Sequence, residues 1–324
     1  MTSTGQFRHH RLGVWLGQDL CEPILNALES SSLKPVAIAG TGPTISARAD
    51  ALELTLEDDV RNLCRDDIDA VLIADPGLAI DAETLAAMMR ETTRHACRIW
   101  TLTPRPAAYS ETDQLLKAGP LPKPIPLLRD LSAMQGLRDC LDTFGRIDAI
   151  QVSMNAPPPM GTGPGRLHDA LDLLQDIMGT PHSVHAAEPA EHGDARSIGR
   201  NTFVIARYPD GRVAGINASN KGGAFTRSVT AWGEGGHITW KDGRVDWTDA
   251  DGRSVEHPSD TTSPRQDMPA QLVEAMQRRL DQPIINVTED RQIDVLATLE
   301  TCMLALRTGE TEHVDRVRGV FDRV

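Results

Sequence analysis

Two hydrophobic rhythms divide the chain. In its first third, short apolar runs alternate with segments whose apolar residues recur every three or four positions. The runs at residues 12–16, 35–40, 68–74 and 97–102 are short and tightly bounded, which predicts buried strands. Between them, helical spacing begins at Pro23, a residue tolerated in a first turn, and returns over residues 56–64 and 82–94. Strands alternating with helices predict a parallel, doubly wound sheet, because each crossover returns the chain to the same end. From residue 201 the rhythm changes to one-by-one alternation over residues 203–208, 213–219, 227–232 and 237–240. Pro209-Asp210-Gly211 and the Asp-Gly pairs at Asp242 and Asp251 punctuate it. This pattern predicts the hairpins of an open antiparallel or mixed sheet.

Between the two regimes, residues 165–179 predict a helix. Leu167, Ala170, Leu171, Leu174, Ile177 and Met178 form one face of it, while His168, Asp169, Asp172 and Asp176 fall elsewhere on the cylinder. Gly179 and Pro181 stop it, and residues 183–186 alternate as a strand. His168 stands one turn before Asp172. Either it is a surface histidine with a carboxylate neighbour, or it points into a cleft as an acid, base or donor. Further helices are predicted over residues 131–144, 271–280 and 291–307, the last ending at Gly309, with a strand over 148–152 and a polar surface loop over 254–267. Prolines at every second position from 120 to 126 predict a semi-rigid crossing between two domains, residues 1–120 and residues 121–324. An open sheet with helices on one face has another face left to bury. A homo-oligomer joined through the C-terminal sheet is therefore expected, with Val204, Ala206, Val229 and Ala231 as contact candidates.

Composition narrows the partners. The 324 residues are 40% hydrophobic, enough for two modest cores. A net charge of -13 sets the chain against nucleic-acid backbones and anionic membranes, whose own charge would repel it. The five cysteines, Cys21, Cys64, Cys97, Cys140 and Cys302, lack the close spacing of zinc sites or redox dithiols. They read as reduced core thiols, and no metal is expected. The first residues show no apolar run ahead of a cleavage site, and no window reaches the roughly 18 apolar residues of a membrane span. A cytoplasmic location is the expectation.

Several segments together carry a family resemblance: GRLHDALDLLQDIMG from Gly165, NTFVIARYPDGRVAGINAS from Asn201, RSVTAWGEGGHITW from Arg227, and PAQLVEAMQRRLDQPIINVTEDRQIDVLATLETCMLALRTGE from Pro269. In order and spacing they resemble the Gfo/Idh/MocA family of nucleotide-dependent sugar and polyol oxidoreductases, over most of the chain. The resemblance implies an N-terminal Rossmann-like domain and a C-terminal α/β domain with an open, mostly antiparallel sheet. It also implies an NAD(P) cofactor and a sugar-like or cyclic polyol small molecule in the interdomain cleft. Cofactor-binding positions then fall at Gly17, Gly40, Thr41 and Pro76, and catalytic positions at Arg105 and His168. Asn155 near a strand end, Asp172, and Lys221 in the loop Asn220-Lys221-Gly222-Gly223 are candidate substrate contacts.

The motifs that carry nicotinamide chemistry depart from that family. Where its first strand runs into GxGxxG, so that the backbone can approach a pyrophosphate, this chain reads Leu16-Gly17-Gln18-Asp19-Leu20-Cys21, with a negative charge at Asp19. The acid that accepts from the adenosine ribose is replaced by Gly40-Thr41-Gly42, although Thr41, Ser46 or Arg48 could meet a 2′-phosphate. The third strand end keeps Pro76 and carries Asp75 in place of the family's threonine. The family's E-K-P becomes Pro104-Arg105-Pro106, with Ser110 at the following helix start, and Pro164 stands where an Asp usually precedes the histidine. Arg105 keeps the cation but cannot transfer a proton, because a guanidinium does not titrate in an accessible range. Two readings stay open. One is an oxidoreductase that binds NAD(P) unconventionally, with Arg105 orienting the substrate and His168 as acid or base. The other is a cofactor-free descendant: a binding module, a partner subunit of an active paralogue, or an enzyme of another class using the old cleft.

Overall fold

The computed structural model describes residues 9–74, 80–106, 109–156, 163–189, 201–220, 225–256, 267–281 and 289–321. The chain forms two compact units, Met1–Ile125 with Pro269–Ile285, and Pro126–Met268 with Asn286–Val324.

The first unit contains β1 (His10–Leu16), α1 (Gln18–Glu29), β2 (Leu33–Gly40), α2 (Pro43–Ala51), β3 (Thr55–Leu56), β4 (Ala70–Ala74), α3 (Ala82–His95), β5 (Arg98–Thr101), α4 (Tyr109–Ala118) and β6 (Lys123–Pro124). Its strands pair in parallel in the order β3-β2-β1-β4-β5-β6. β4 is buried at every position, as its unbroken apolar sequence requires in a sheet covered on both faces. The chain moves outward from β1 in one direction and from β4 in the other. The carboxyl ends of these two strands thus flank the switch point where open α/β sheets hold ligands.

The helix expected over residues 56–64 is not formed. Thr55–Leu56 is a short edge strand and Val60–Leu63 a single tight turn of 3-10 helix, begun by the Asp59 carboxylate accepting from the Arg61 N–H. The crossover helix comes earlier, as α2. Pro43 occupies its first turn, where the missing N–H costs nothing and the fixed φ suits the helix. Only Ile45 and Ala49 of α2 are buried, so periodicity does not reveal it.

The second unit continues with α5 (Gln135–Phe144), β7 (Ile147–Asn155), α6 (Gly163–Met178), β8 (Ser183–Ala187), β9 (Asn201–Arg207), β10 (Val213–Ser219), β11 (Thr226–Gly233), β12 (Gly236–Lys241) and β13 (Arg244–Thr248). After α7 (Met268–Asp281) it resumes with α8 (Glu289–Thr308), β14 (Glu312–His313) and α9 (Val314–Phe321). α7 lies almost wholly in the segment that belongs to the first unit, where Asp281 meets His10 at 3.1 Å and Arg98 donates to the Arg279 carbonyl. The sheet order is β13-β12-β11-β7-β10-β9-β8-β14, antiparallel except for the pair β7 and β10.

α6 and α8 pack against this sheet. Val204, Ala206, Val229 and Ala231 are all at most 1% exposed within the single chain, so they belong to the core and not to an oligomer contact. The expected contact set is corrected by one residue of strand parity, since neighbours along a strand point to opposite faces. Phe203 (51%), Ile205 (49%), Val213 (38%) and Trp232 (44%) are the large apolar residues exposed on these strands. All five cysteines are free and buried. Among the described residues, no helix is long and apolar enough to cross a membrane, and no group of three His, Cys, Asp or Glu side chains is arranged to hold a metal ion.

Candidate functional sites in the two units

In the first unit the cofactor candidates lie at the carboxyl ends of β1 and β2. Gly17 caps α1 and donates its N–H to the Ala74 carbonyl at 3.0 Å, which ties the start of α1 to the end of β4. Gly40 has φ +150°, and a Cβ there would come within 2.2 Å of the Leu16 carbonyl oxygen, so β1 and β2 meet backbone to backbone. Gly42, at φ +112°, caps α2, and a Cβ on it would stand 2.6 Å from Gln18 Oε1. The Gln18 side chain therefore lies beside the turn that follows β2. Asp19 occupies the first turn of α1, where a carboxylate is stabilised by the positive end of the helix. Thr41 and Ser46 are exposed. Arg48 turns to α1 instead, at 2.6 Å from Glu29, 3.1 Å from Asn26 and 3.5 Å from Glu22. Asp75 and Pro76 lie outside the described residues.

In Rossmann-like folds this position receives a dinucleotide diphosphate. Such a ligand takes up open N–H groups and positive field at a helix start. Here the Gly17 N–H bonds the Ala74 carbonyl, the Asp19 carboxylate sits in the first turn of α1, and Arg48, the first cation after β2, is paired with acids.

Arg105 lies in the loop between β5 and α4, where it is 4% exposed. Nε and Nη2 donate to the two Glu111 carboxylate oxygens at 3.1 and 3.3 Å, and Nη1 donates to the Ile80 carbonyl at 2.9 Å. Three of its N–H groups thus tie the loop to the first turn of α4 and to the approach to α3. The Asp81 carboxyl, held below its usual range mainly by the Thr84 N–H, is lowered further by this guanidinium.

In the second unit the candidates gather on α6, whose residues 166 to 174 are all at most 4% exposed. His168 is 2% exposed, which overturns the surface reading of it. A helix buried around its circumference hides polar residues as well as apolar ones, so a one-face pattern misplaces them. Asp172 is in contact with Arg129, and Arg291 Nε stands 3.9 Å from it. Arg291 also donates to the Asp172 carbonyl at 3.1 Å and to Asp176 at 2.7 Å. Burial pushes the Asp172 carboxyl up to about 6, against the pull of Arg129 and Arg291. The carboxylate is ionised at neutral pH and braces the segment before α5 and the start of α8 against α6. Asn155 ends β7 and donates to Thr226 Oγ1 at 3.3 Å. Lys221 lies outside the described residues.

The structure adds Arg166, Asp169, Phe225 and Arg227 to this neighbourhood. Asp169 accepts from the Leu128 N–H at 2.6 Å, and its other oxygen, also buried, meets no donor among the described residues. Arg166 Nη1 stands 4.0 Å from Asp169, too far for a hydrogen bond. Arg166 Nε and Nη1 are enclosed with no acceptor among the described residues. The guanidinium carbons of Arg166 and Arg227 lie 5.3 and 4.9 Å from the centre of the Phe225 ring. Burial pushes the Asp169 carboxyl up, against Arg227 first and Arg166 second, and pulls the Arg166 guanidinium down. Arg227 shares strand parity with Val229 and Ala231, so once those two are found in the core the cation lies on the inward face with them. Buried cations beside a carboxylate and an aromatic ring form a chemistry suited to hydroxyl or anionic oxygens.

No protein-family model matches the chain, and no curated protein is similar to it in sequence. Solved structures are similar over nearly their whole length. The WlbA dehydrogenase from Bordetella pertussis in complex with NADH and UDP-GlcNAcA superposes with a TM-score of 0.69 at 17% identity, covering 94% of this chain and 98% of that one. For UDP-N-acetylglucosamine 3-dehydrogenase GnnA from Acidithiobacillus ferrooxidans the values are 0.69, 17%, 93% and 99%. For levoglucosan dehydrogenase in complex with NADH and L-sorbose they are 0.70, 15%, 94% and 99%. The parallel Rossmann-like sheet and the open, mostly antiparallel sheet of this chain together form the fold of these sugar dehydrogenases.

Proposed function

We propose that the chain is a diverged member of the Gfo/Idh/MocA family that binds a sugar-like or polyol small molecule without an ordinary nicotinamide cofactor. The start of α1 supports this most. Asp19 sits in the first turn, the Gly17 N–H is already bonded, and Gln18 lies beside Gly42. A negative charge brought to about 5 Å from Asp19 meets roughly 1–3 kcal/mol of repulsion, which is a weakening of several-fold to about a hundredfold. The pairing of Arg48 with Glu22 and Glu29 adds to it, because a ribose 2′-phosphate would have to compete with two carboxylates. The ligand class follows the structural relatives, whose bound ligands include UDP-GlcNAcA and L-sorbose. The exposed apolar residues Phe203, Ile205, Val213 and Trp232 support a homo-oligomer formed through the second sheet.

A second reading, an NAD(P)-dependent oxidoreductase, is favoured by the fold shared with dehydrogenases solved with NADH. Calorimetric titration with a panel of polyols, sugars and sugar acids, with and without NADH, separates the two. Saturable binding unaffected by NADH is the expected result. Binding that appears only when NADH is present would establish the second reading and remove the first.

A further inference from the structure

We infer that Cys64 and Cys97 form an oxidation site, at which hydrogen peroxide converts two thiols to a disulfide that a dithiol reductant reopens. The fold brings these distant residues side by side. Cys64 follows the 3-10 turn Val60–Leu63, Cys97 follows α3, and the turn and the helix pack on each other. His95 Nδ1 meets the Asp66 carboxylate at 2.6 Å, and the Arg98 N–H donates to the Asp69 carbonyl at 3.2 Å, so residues 64–69 and 95–98 are tied at two points. Beside these ties the Cys64 S–H donates to the Cys97 sulfur, and the Cys97 S–H reaches the Arg98 carbonyl at 3.7 Å. Cys64 is 5% and Cys97 7% exposed, while the Asp66 side chain is 88% exposed, so the sulfurs lie just beneath the surface. A reagent close to water in size can touch them, and a bulky one cannot.

The hydrogen bond to Cys97, burial, and the charges of Cys97 and Glu91 hold the Cys64 thiol well above its ordinary range, so Cys64 keeps its proton. Cys97 is therefore the sulfur that attacks. It gives its proton to solvent and takes one oxygen of the peroxide; the O–O bond breaks, and the other oxygen leaves as hydroxide, which that proton converts to water. The Cys64 sulfur then displaces the hydroxyl of the Cys97 sulfenic acid, and the Cys64 proton leaves with it as a second water. Two thiols and one peroxide give one disulfide and two waters, with two electrons passing from sulfur to oxygen. A sulfenic acid without a neighbouring thiol is open to further oxidation, and here the neighbour is already in contact. The new bond would tie the turn before β4 to the start of β5 and close a loop through α3.

The test treats the full chain with hydrogen peroxide, denatures it in iodoacetamide to block remaining thiols, and maps the digest by mass spectrometry. A peptide linking Cys64 to Cys97, absent when dithiothreitol is added before blocking, is the expected product. The oxidised protein should melt roughly 5–10 °C above the reduced one, because the closed loop restricts the unfolded chain. Neither Cys64→Ser nor Cys97→Ser should show that rise, whereas Cys140→Ser should keep both the link and the rise. If a serine variant does not fold, the map of the unmodified protein decides alone. Recovery of Cys64 and Cys97 as blocked thiols after peroxide treatment would overturn the inference. So would Cys97 found as a sulfinic acid beside an unlinked Cys64, or a rise in melting temperature that survives in both serine variants.

Discussion

Replacing Arg105 tests whether the loop between β5 and α4 is a brace or a ligand-binding element. The guanidinium is 4% exposed and makes three hydrogen bonds, two to Glu111 and one to the Ile80 carbonyl. Arg105→Ala removes all three and leaves the Glu111 carboxylate without this fork. Breaking a fully buried pair costs about 3–5 kcal/mol, and the Glu111 side chain is 21% exposed, so water recovers part of the loss. The expected cost is roughly 2–4 kcal/mol. Arg105→Lys keeps the charge but offers one ammonium in place of a planar fork. It can reach Glu111 or Ile80 but not both with good geometry, so about 1–2 kcal/mol is lost. Urea melts followed by circular dichroism, alongside ligand titration, should rank the proteins unmodified, Lys, Ala in falling stability. If Arg105→Ala unfolds at the same urea midpoint as the unmodified protein while ligand affinity collapses, Arg105 is a ligand residue and the brace is wrong.

Gly40→Ala should destabilise the first unit by roughly 2–5 kcal/mol, since positive φ is strained for alanine and the new Cβ falls 2.2 Å from the Leu16 carbonyl oxygen; a thermal melt unchanged by the substitution refutes this. For Asp172, the folded value of about 6 lies above the ordinary 3.9, so the folded state holds that proton more tightly than the unfolded chain. Its stabilisation is complete below about pH 4 and is lost as the pH rises through 6, an effect of at most about 3 kcal/mol. Melting temperatures of the unmodified protein, taken relative to Asp172→Asn, should therefore fall between pH 4 and 6 and level off above 7. A rise over that window would mean that Arg129 and Arg291 hold the carboxylate ionised. Phe203→Asp with Trp232→Glu should convert an oligomer to monomer in light scattering without lowering the melting temperature of the fold, whereas an unmodified protein already monomeric at micromolar concentration ends the sheet-face proposal.

Much of the architecture was legible because its cause is local. β4 is a short continuous apolar run, and β9 and β10 alternate around Pro209-Asp210-Gly211, so period and turn chemistry were enough. α2 was missed because a nine-residue helix with two buried residues leaves almost no periodic trace. The site was less legible. The departures at Gly17, Asp19 and Gly40 could be read directly, since backbone approach and charge at a helix start are properties of single residues. Arg166 and Asp169 could not, because their burial depends on Leu128 and Phe225, which are distant in sequence. Strand parity explains the misplaced contact set: Val204 and Phe203 are equally apolar, and only the packing of α6 and α8 decides which of the two is covered.

The central claim, that the nicotinamide site is not an ordinary one, is tested most directly by titrating the unmodified protein with NADH and NADPH while exciting tryptophan. Trp15 on β1 and Trp100 on β5 lie in the same sheet as the α1 turn and would transfer energy to a reduced nicotinamide held there. The expected result is no saturable transfer up to about 100 μM of either nucleotide, a free energy of association weaker than roughly -5.5 kcal/mol. Saturable transfer in the low micromolar range, competed by the oxidised nucleotide, would contradict the claim.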